Sequence, residues 1–124
     1  MGYTTEFSGC LLFNETTTSE AKKYFSLFFD ENGRDHPEWN AQHLSYFDYE
    51  FNNDETGIQW TGAEKSYDMV EKLQLMIDLT RKQFPDFGLC DGELLAVGED
   101  RRDVWYLRVK NNIVSKEKVV FHGR

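Results

Sequence analysis

The hydrophobic pattern of this chain changes its period several times, and this change limits the folds available to it. Residues 3–13 alternate between apolar and polar side chains, which is the period of a half-buried β-strand. Ala21, Tyr24, Phe25 and Phe28 then follow at the spacing of one helical stripe. Because strand and helix periods occur in one chain, the sequence predicts an α+β fold.

Local signals place the boundaries of the elements. Thr17 stands three residues before Glu20, a capping-box spacing that predicts a helix start, and Gly33 is suited to the helix end. Pro85 ends a second, longer helix, with Glu64 in its first turn. The turn residues Asn111 and Asn112 predict a tight hairpin. The predicted strands are 3–13, 44–51, 58–60, 93–97, 104–110 and 113–121, and the predicted helices are 17–32 and 64–84.

The predicted order is β-α-β-β-α-β-β-β. Its first six elements match the split βαβ pattern of ferredoxin-like folds. We therefore expect an antiparallel sheet with two helices on one face. A length of 124 residues is typical of one domain, so we predict a single domain over residues 1–124.

The charge is strongly negative and unevenly distributed. The formal net charge is −8. Residues 1–88 carry 16 acidic and 7 basic side chains, a balance of −9, whereas residues 89–124 carry 6 acidic and 7 basic ones. This charge disfavours direct binding of nucleic acid and of anionic membranes. The excess of negative charge has two interpretations: it keeps the protein soluble, or it forms an acidic face that binds a basic partner.

The cysteine content and the short apolar runs of the chain are used to predict its cellular location. Cys10 and Cys90 do not have zinc-site spacing, and we expect two small buried side chains in a reducing environment, with a bond between them left open. The first residues lack the pattern of a signal peptide, and no apolar run approaches the roughly 18 residues of a membrane span. The expected location is the cytoplasm.

Catalytic, metal-binding and cofactor-binding residues are not predicted. His36 and His43 lie seven residues apart near Asp35 and Glu38, which favours a solvated polar loop over a metal site. The chain has no nucleophile elbow and no glycine-rich phosphate loop. Glu64 is interpreted as a carboxylate that suits the helix dipole, with a catalytic acid or base as the alternative. An enzyme is therefore the less favoured class.

Candidate interaction residues come from two polar loops. Trp39 lies in the polar loop beside Asp35 and Glu38, where an exposed ring suits protein binding, although it can also fold back over the core. Asp54 and Glu55 lie in the hairpin loop 52–57. Trp60 and Trp105 alternate with polar residues and are predicted to belong to the core.

Three blocks resemble a family of small uncharacterised phage and prophage proteins. Residues 2–9 (GYTTEFSG) are similar to its opening GYTT-x-F-x-G. Residues 57–67 (GIQWTGAEKSY) resemble its G-x-x-I-x-W-x-G-x-E-K-x-Y block, and the match in spacing runs from Ile58 to Tyr67. Residues 97–100 and 109–112 resemble its closing hairpin. The resemblance implies a phage or mobile-element protein in a bacterial host, and small acidic proteins of such elements often bind a host protein. It carries over no functional residue.

Three functions remain open at this point. The leading hypothesis is a non-enzymatic acidic protein that docks on a basic host or phage protein, with an anti-defence role as one form of this hypothesis. The second is a small-molecule, nucleotide-like binder or unrecognised hydrolase, for which a pocket lined by Tyr, Trp and Arg101 or Arg102 is expected. The third is a structural or assembly accessory.

Overall fold

The computed structural model describes residues 3–33 and 44–119, which form an α+β fold with two helices and two antiparallel sheets. The helices are α1 (Ser19–Ser26) and α2 (Met69–Gln83). The strands are β1 (Thr5–Ser8), β2 (Leu11–Leu12), β3 (Tyr49–Phe51), β4 (Gly57–Trp60), β5 (Gly92–Gly98), β6 (Val104–Lys110) and β7 (Ile113–Lys118).

The strands form two sheets where the sequence predicted one. The larger sheet has the order β1-β5-β6-β7 and the smaller has the order β2-β4-β3. The predicted strand 3–13 is broken at Gly9, whose φ of 101° lies in the region that favours glycine. As a result β1 pairs with β5 while β2 pairs with β4. The ferredoxin-like order is not confirmed.

The first helix begins one residue later than predicted. Thr18, not Thr17, is the N-cap, and its hydroxyl accepts a hydrogen bond from the Ala21 N–H at 3.1 Å. The Thr17 hydroxyl instead donates to the Asn14 side chain. The helix also ends at Ser26 rather than near Asn32, with turns following it.

The second helix is also shorter than predicted, because it starts at Met69. Its N-cap, Asp68, has a left-handed conformation with φ of 56°, and its side chain makes no capping hydrogen bond. Glu64 therefore lies in the preceding turn, outside the helix, and the prediction that it belongs to the first turn is wrong. The helix ends directly before Phe84 and Pro85, close to the predicted end. Helix α2 contacts both β7 and α1.

The core is rich in aromatic rings. Phe25 is fully buried and its ring stacks on Phe87 with centroids 4.9 Å apart. Trp105 is buried, as predicted, whereas Trp60 is only partly buried against the core. The predicted turn at Asn111 and Asn112 is confirmed, with φ values of 51° and 62°.

The prediction that both cysteines are buried is wrong. Cys10 and Cys90 are free and exposed. Cys10 follows Gly9 at the break between β1 and β2, where the chain leaves one sheet for the other. Cys90 precedes β5, and its N–H donates to the Leu12 carbonyl oxygen at 2.8 Å. Neither cysteine lies within a strand, so neither takes part in the alternation of buried and exposed side chains.

Replacing Gly57 by alanine is expected to lower the free energy of unfolding by about 2 kcal/mol. An added Cβ would overlap the Leu11 carbonyl oxygen and lie 2.9 Å from the Leu12 Cα, so β2 has to move away from β4. Urea unfolding measures the loss. Gly92→Ala is the matched control, because its Cβ would meet nothing closer than 3.5 Å. Equal costs for both variants would contradict this packing of β2 on β4.

Candidate functional site

The predicted interaction residues do not form one site within the described structure. Asp35, Glu38 and Trp39 lie outside the described residues, as do His36 and His43. Asp54 and Glu55 are exposed in the loop between β3 and β4. Only this second pair can therefore be placed.

The Asp54 carboxylate has a local structural role. The Thr56 hydroxyl donates to Asp54 Oδ1 at 2.7 Å, and the Thr56 N–H approaches the same oxygen at 3.4 Å. These hydrogen bonds lower the pKa of Asp54, the hydroxyl contact contributing most. Asp54 and Glu55 also share a cleft with Lys22 and Lys23 of α1. Charged side chains of both signs therefore line this cleft.

A second groove combines aromatic and acidic side chains, and we call it the aromatic groove. It has a volume of about 460 Å³, within the usual range for ligand sites of about 300–1,000 Å³. It lies where β1 and β6 begin, next to the start of α2 and the side of β7. Its lining residues are Tyr3, Thr5, Phe7, Ser66, Tyr67, Asp68, Met69, Val70, Glu71, Asp103, Trp105 and Lys116.

The aromatic side of the groove is held in place by contacts between rings and by hydrogen bonds. Trp105 meets the Phe7 ring edge-on with centroids 5.6 Å apart. Phe7 in turn contacts Trp60 at 5.7 Å. The Trp60 indole N–H donates to Ser66 Oγ at 2.8 Å, which fixes the segment before α2. Lys116 Nζ lies 4.5 Å from the centroid of Trp105, within the range of a cation–π interaction.

Tyr3 forms one rim of the groove. Its hydroxyl donates to Asp103 Oδ2 at 2.9 Å and accepts from the Asp100 N–H at 3.0 Å. The Asp100 N–H favours the phenolate, but desolvation and the Asp103 carboxylate outweigh it and raise the pKa of Tyr3. Tyr3 therefore remains a neutral hydrogen-bond donor that orients Asp103.

Negative charge exceeds positive charge among the described lining residues. The carboxylates are Asp68, Glu71 and Asp103, the cation in the lining is Lys116, and Lys118 Nζ lies 3.9 Å from Asp103 Oδ1. The start of α2 adds about half a positive elementary charge, which leaves the balance negative. An aromatic surface beside carboxylates is suited to a cationic group.

The groove does not have the arrangement of a serine nucleophile. The buried Ser66 hydroxyl donates to the Ala63 carbonyl oxygen at 3.0 Å while it accepts from Trp60. Its proton is therefore directed at a backbone oxygen and not at a general base.

A buried lysine lies behind the start of α2. Lys72 is fully buried, and its Nζ lies 3.9 Å from Asp48 Oδ2 and 3.4 Å from Ser45 Oγ. Desolvation lowers the pKa of Lys72, and the Asp48 and Asp68 carboxylates partly offset this effect. Asp48 has a φ of 63°, in the left-handed region.

Tyr49 fixes the first turn of the same helix. Its buried hydroxyl donates to the Met69 carbonyl oxygen at 2.8 Å. Burial, with a contribution from Asp48, raises the pKa of Tyr49 well above its usual value. The phenol therefore stays protonated and keeps this hydrogen bond, which holds Met69 and Asp68 beside the groove.

The groove and the buried lysine were both missed by sequence reasoning. The groove residues come from three distant stretches, 3–7, 66–71 and 103–116, so their proximity leaves no local pattern. Lys72 did leave a signal, because it lies four residues before Met76 on the buried stripe of α2.

No protein family, curated protein or solved structure compared with this chain matches it. Within residues 3–33 and 44–119, no three His, Cys, Asp or Glu side chains come together as a metal-ion site. In the same part of the chain, no helix has both the length and the apolar character needed to cross a membrane.

Proposed function

We propose that this protein is a non-enzymatic binding protein that docks an acidic surface on a basic partner protein. The observation that carries the proposal is the aromatic groove, in which three carboxylates and one lysine surround aromatic side chains. Aromatic residues dominate binding energy at protein interfaces, and charge complementarity sets partner choice. Tyr67, 44% exposed, is available for such contact.

The charge distribution and the sequence resemblance support the same function. The balance of −9 over residues 1–88 gives an acidic protein that attracts basic surfaces and repels the phosphates of nucleic acid. The resemblance of residues 2–9 and 57–67 to phage and prophage proteins supports a host protein as the partner, for instance a defence component. Such a protein acts in the cytoplasm of a bacterial host.

The volume of the groove also favours a second candidate, a small-molecule binder. A cavity of about 460 Å³ is large enough for a nucleotide-sized ligand. However, its carboxylates repel phosphate groups, and Arg101 and Arg102 lie exposed in the turn between β5 and β6 without lining it. A cationic organic ligand suits this groove better than a nucleotide does.

The test of the proposed function is a pull-down with the tagged full chain from a bacterial host lysate. Bound proteins are identified by mass spectrometry at about 0.1 M and about 1 M salt, between which the Debye length falls from about 10 Å to about 3 Å. We expect one stoichiometric basic partner that is lost at high salt. A partner kept at high salt would contradict docking by charge.

An empty pull-down would favour the small-molecule alternative. Melting temperatures across a library of nucleotides and cationic metabolites then provide the test, because a ligand at 100 times its Kd stabilises the fold by about 2.7 kcal/mol. Co-purification with virions would instead favour an assembly accessory.

A further inference from the structure

We propose that the aromatic groove receives an arginine side chain of the basic partner, with its guanidinium between Trp105 and the carboxylates of Asp68 and Asp103. This inference rests on the proposed function and specifies the chemistry of its contact. It follows from three features of the groove: a cation already on its aromatic face, two carboxylates in its lining, and an exposed aromatic rim around a cavity that fits one long side chain and its backbone.

The first feature is the position of Lys116. Its ammonium lies 4.5 Å from the Trp105 centroid, so the ring face already attracts a cation within this chain. The Lys116 side chain is exposed. A guanidinium stacks on an aromatic face better than an ammonium does and is more weakly hydrated. An incoming arginine therefore displaces Lys116 from the ring.

The second feature is the pair of carboxylates that flank the ring. Asp68 is exposed and precedes α2 without a capping hydrogen bond, and its charge also favours the protonated form of the buried Lys72. Asp103 also lines the groove: the Tyr3 hydroxyl donates to its Oδ2 at 2.9 Å, and the exposed Lys118 has its Nζ 3.9 Å from Asp103 Oδ1. An exposed ion pair of this kind contributes little free energy, so an incoming guanidinium can replace Lys118. Guanidinium binds carboxylates through paired N–H donors, whereas an ammonium acts as a point charge. The geometry therefore favours arginine over lysine.

The third feature is the rim. Tyr67 is 44% exposed and Tyr3 is 41% exposed, and both line the groove. Two exposed rings offer apolar surface to the methylene stem of an arginine and to the peptide backbone beside it. The volume of about 460 Å³ exceeds what a single ion needs and suits a side chain with its backbone.

The test titrates the full chain with three synthetic peptides of alternating glycine and a second residue. That residue is arginine, lysine or the neutral arginine analogue citrulline. Binding is followed by ¹H–¹⁵N NMR, with the Trp105 indole N–H as the reporter. We expect the arginine peptide to shift this signal, the lysine peptide to bind more weakly, and the citrulline peptide not to bind.

Two variants separate the groove from the overall charge. Asp68→Asn keeps a residue that tolerates the left-handed conformation, and it should weaken arginine-peptide binding about threefold. Lys116→Met removes the competing cation and should strengthen binding about threefold. The matched controls are Asp86→Asn and Lys82→Met, exposed positions that do not line the groove and make the same changes of charge. Both controls should leave the affinity close to that of the native chain.

Each contrary outcome is distinct from failure of the proposed function. Equal binding of the arginine, lysine and citrulline peptides would overturn the assignment of a guanidinium. Equal effects of Asp68→Asn and Asp86→Asn would place the peptide outside the groove. If no peptide binds while the pull-down retains a salt-sensitive basic partner, the groove assignment fails and the proposed function stands. A melting curve for each variant excludes loss of fold as the cause.

Discussion

Replacing Phe25 by alanine is expected to lower the free energy of unfolding by about 4 kcal/mol, within the range for deletion of a buried phenylalanine. Phe25 has no exposed surface, and its ring stacks on Phe87 at 4.9 Å and meets Phe13 edge-on at 6.1 Å. Loss of the ring removes this burial and leaves a cavity between α1 and the segments that contain Phe13 and Phe87. Domains are stable by about 5–15 kcal/mol, so the loss is a large fraction of the total.

Urea unfolding followed by circular dichroism measures this loss, with Leu27→Ala as the matched control. Leu27 directly follows α1 and is 56% exposed, so its truncation should cost less than about 0.5 kcal/mol. If Phe25→Ala does not fold, Phe25→Leu gives an intermediate loss that can still be measured. A cost for Phe25→Ala similar to that of Leu27→Ala would show that the aromatic cluster does not hold α1 in place.

The stripe of α1 that contains Phe25 was predicted from sequence, because helical periodicity is a local property. The same holds for β6, where alternation placed Trp105, Leu107 and Val109 on one face, and all three are buried. The turn at Asn111 and Asn112 was likewise predictable from residues that tolerate positive φ. Local periodicity and turn chemistry therefore accounted for these elements.

The division into two sheets was not predicted, because it depends on pairing between distant residues. Alternation continues through Gly9, yet Phe7 pairs opposite Ala96 while Leu11 pairs opposite Ile58. The segments before and after Gly9 both bury an apolar side chain, Phe7 in the first and Leu11 in the second. The alternation of apolar and polar residues is therefore the same whether residues 3–13 form one strand or two. Pairing with β5 and with β4 determines that two strands form, and these partner strands lie about 50 to 90 residues further along the chain.

The candidate site was less predictable than the fold, since charged residues were interpreted by their sequence neighbours. Asp54 and Glu55 were predicted as interaction residues because they lie in a polar loop. In the structure Asp54 accepts a hydrogen bond from the Thr56 hydroxyl. The two carboxylates also line a cleft that contains Lys22 and Lys23. The groove carboxylates come from positions 68, 71 and 103, which only the fold brings together. Sequence reasoning identified the excess of negative charge in residues 1–88 but not where this charge lies on the folded surface.

Replacing Asp48 by asparagine is expected to destabilise the fold by about 3 kcal/mol at neutral pH, because it leaves the buried Lys72 without its nearest carboxylate. Asparagine has nearly the same shape and tolerates the left-handed φ of 63° at this position, so the backbone is retained. The change therefore tests the charge pair, whose atoms lie 3.9 Å apart, and not the turn.

The loss in Asp48→Asn should shrink as the pH rises from about 7 to just below 10, because this approaches the pKa of 10.5 of an unfolded lysine. Burial lowers the pKa of Lys72 in the folded state, so in this window the unfolded chain binds more protons and the free energy of unfolding increases with pH. The remaining Asp68 carboxylate opposes this effect only in part. Without Asp48 the folded lysine loses its proton at a lower pH, which makes the increase steeper than in the native chain.

Urea unfolding of both proteins across this window measures the difference, and Lys72→Met provides the reference background. Without the lysine charge, adding Asp48→Asn should cost little at any pH, so the double-mutant cycle isolates the pair. Tyr49, whose pKa is raised by burial, makes the folded state bind more protons above pH 10 and lowers stability there, which is why the comparison stops below that value. A loss that is constant with pH and persists in Lys72→Met would assign the role of Asp48 to the turn before β3. A loss that shrinks with pH and disappears without the lysine would show that the charge pair stabilises the contact between α2 and the segment before β3.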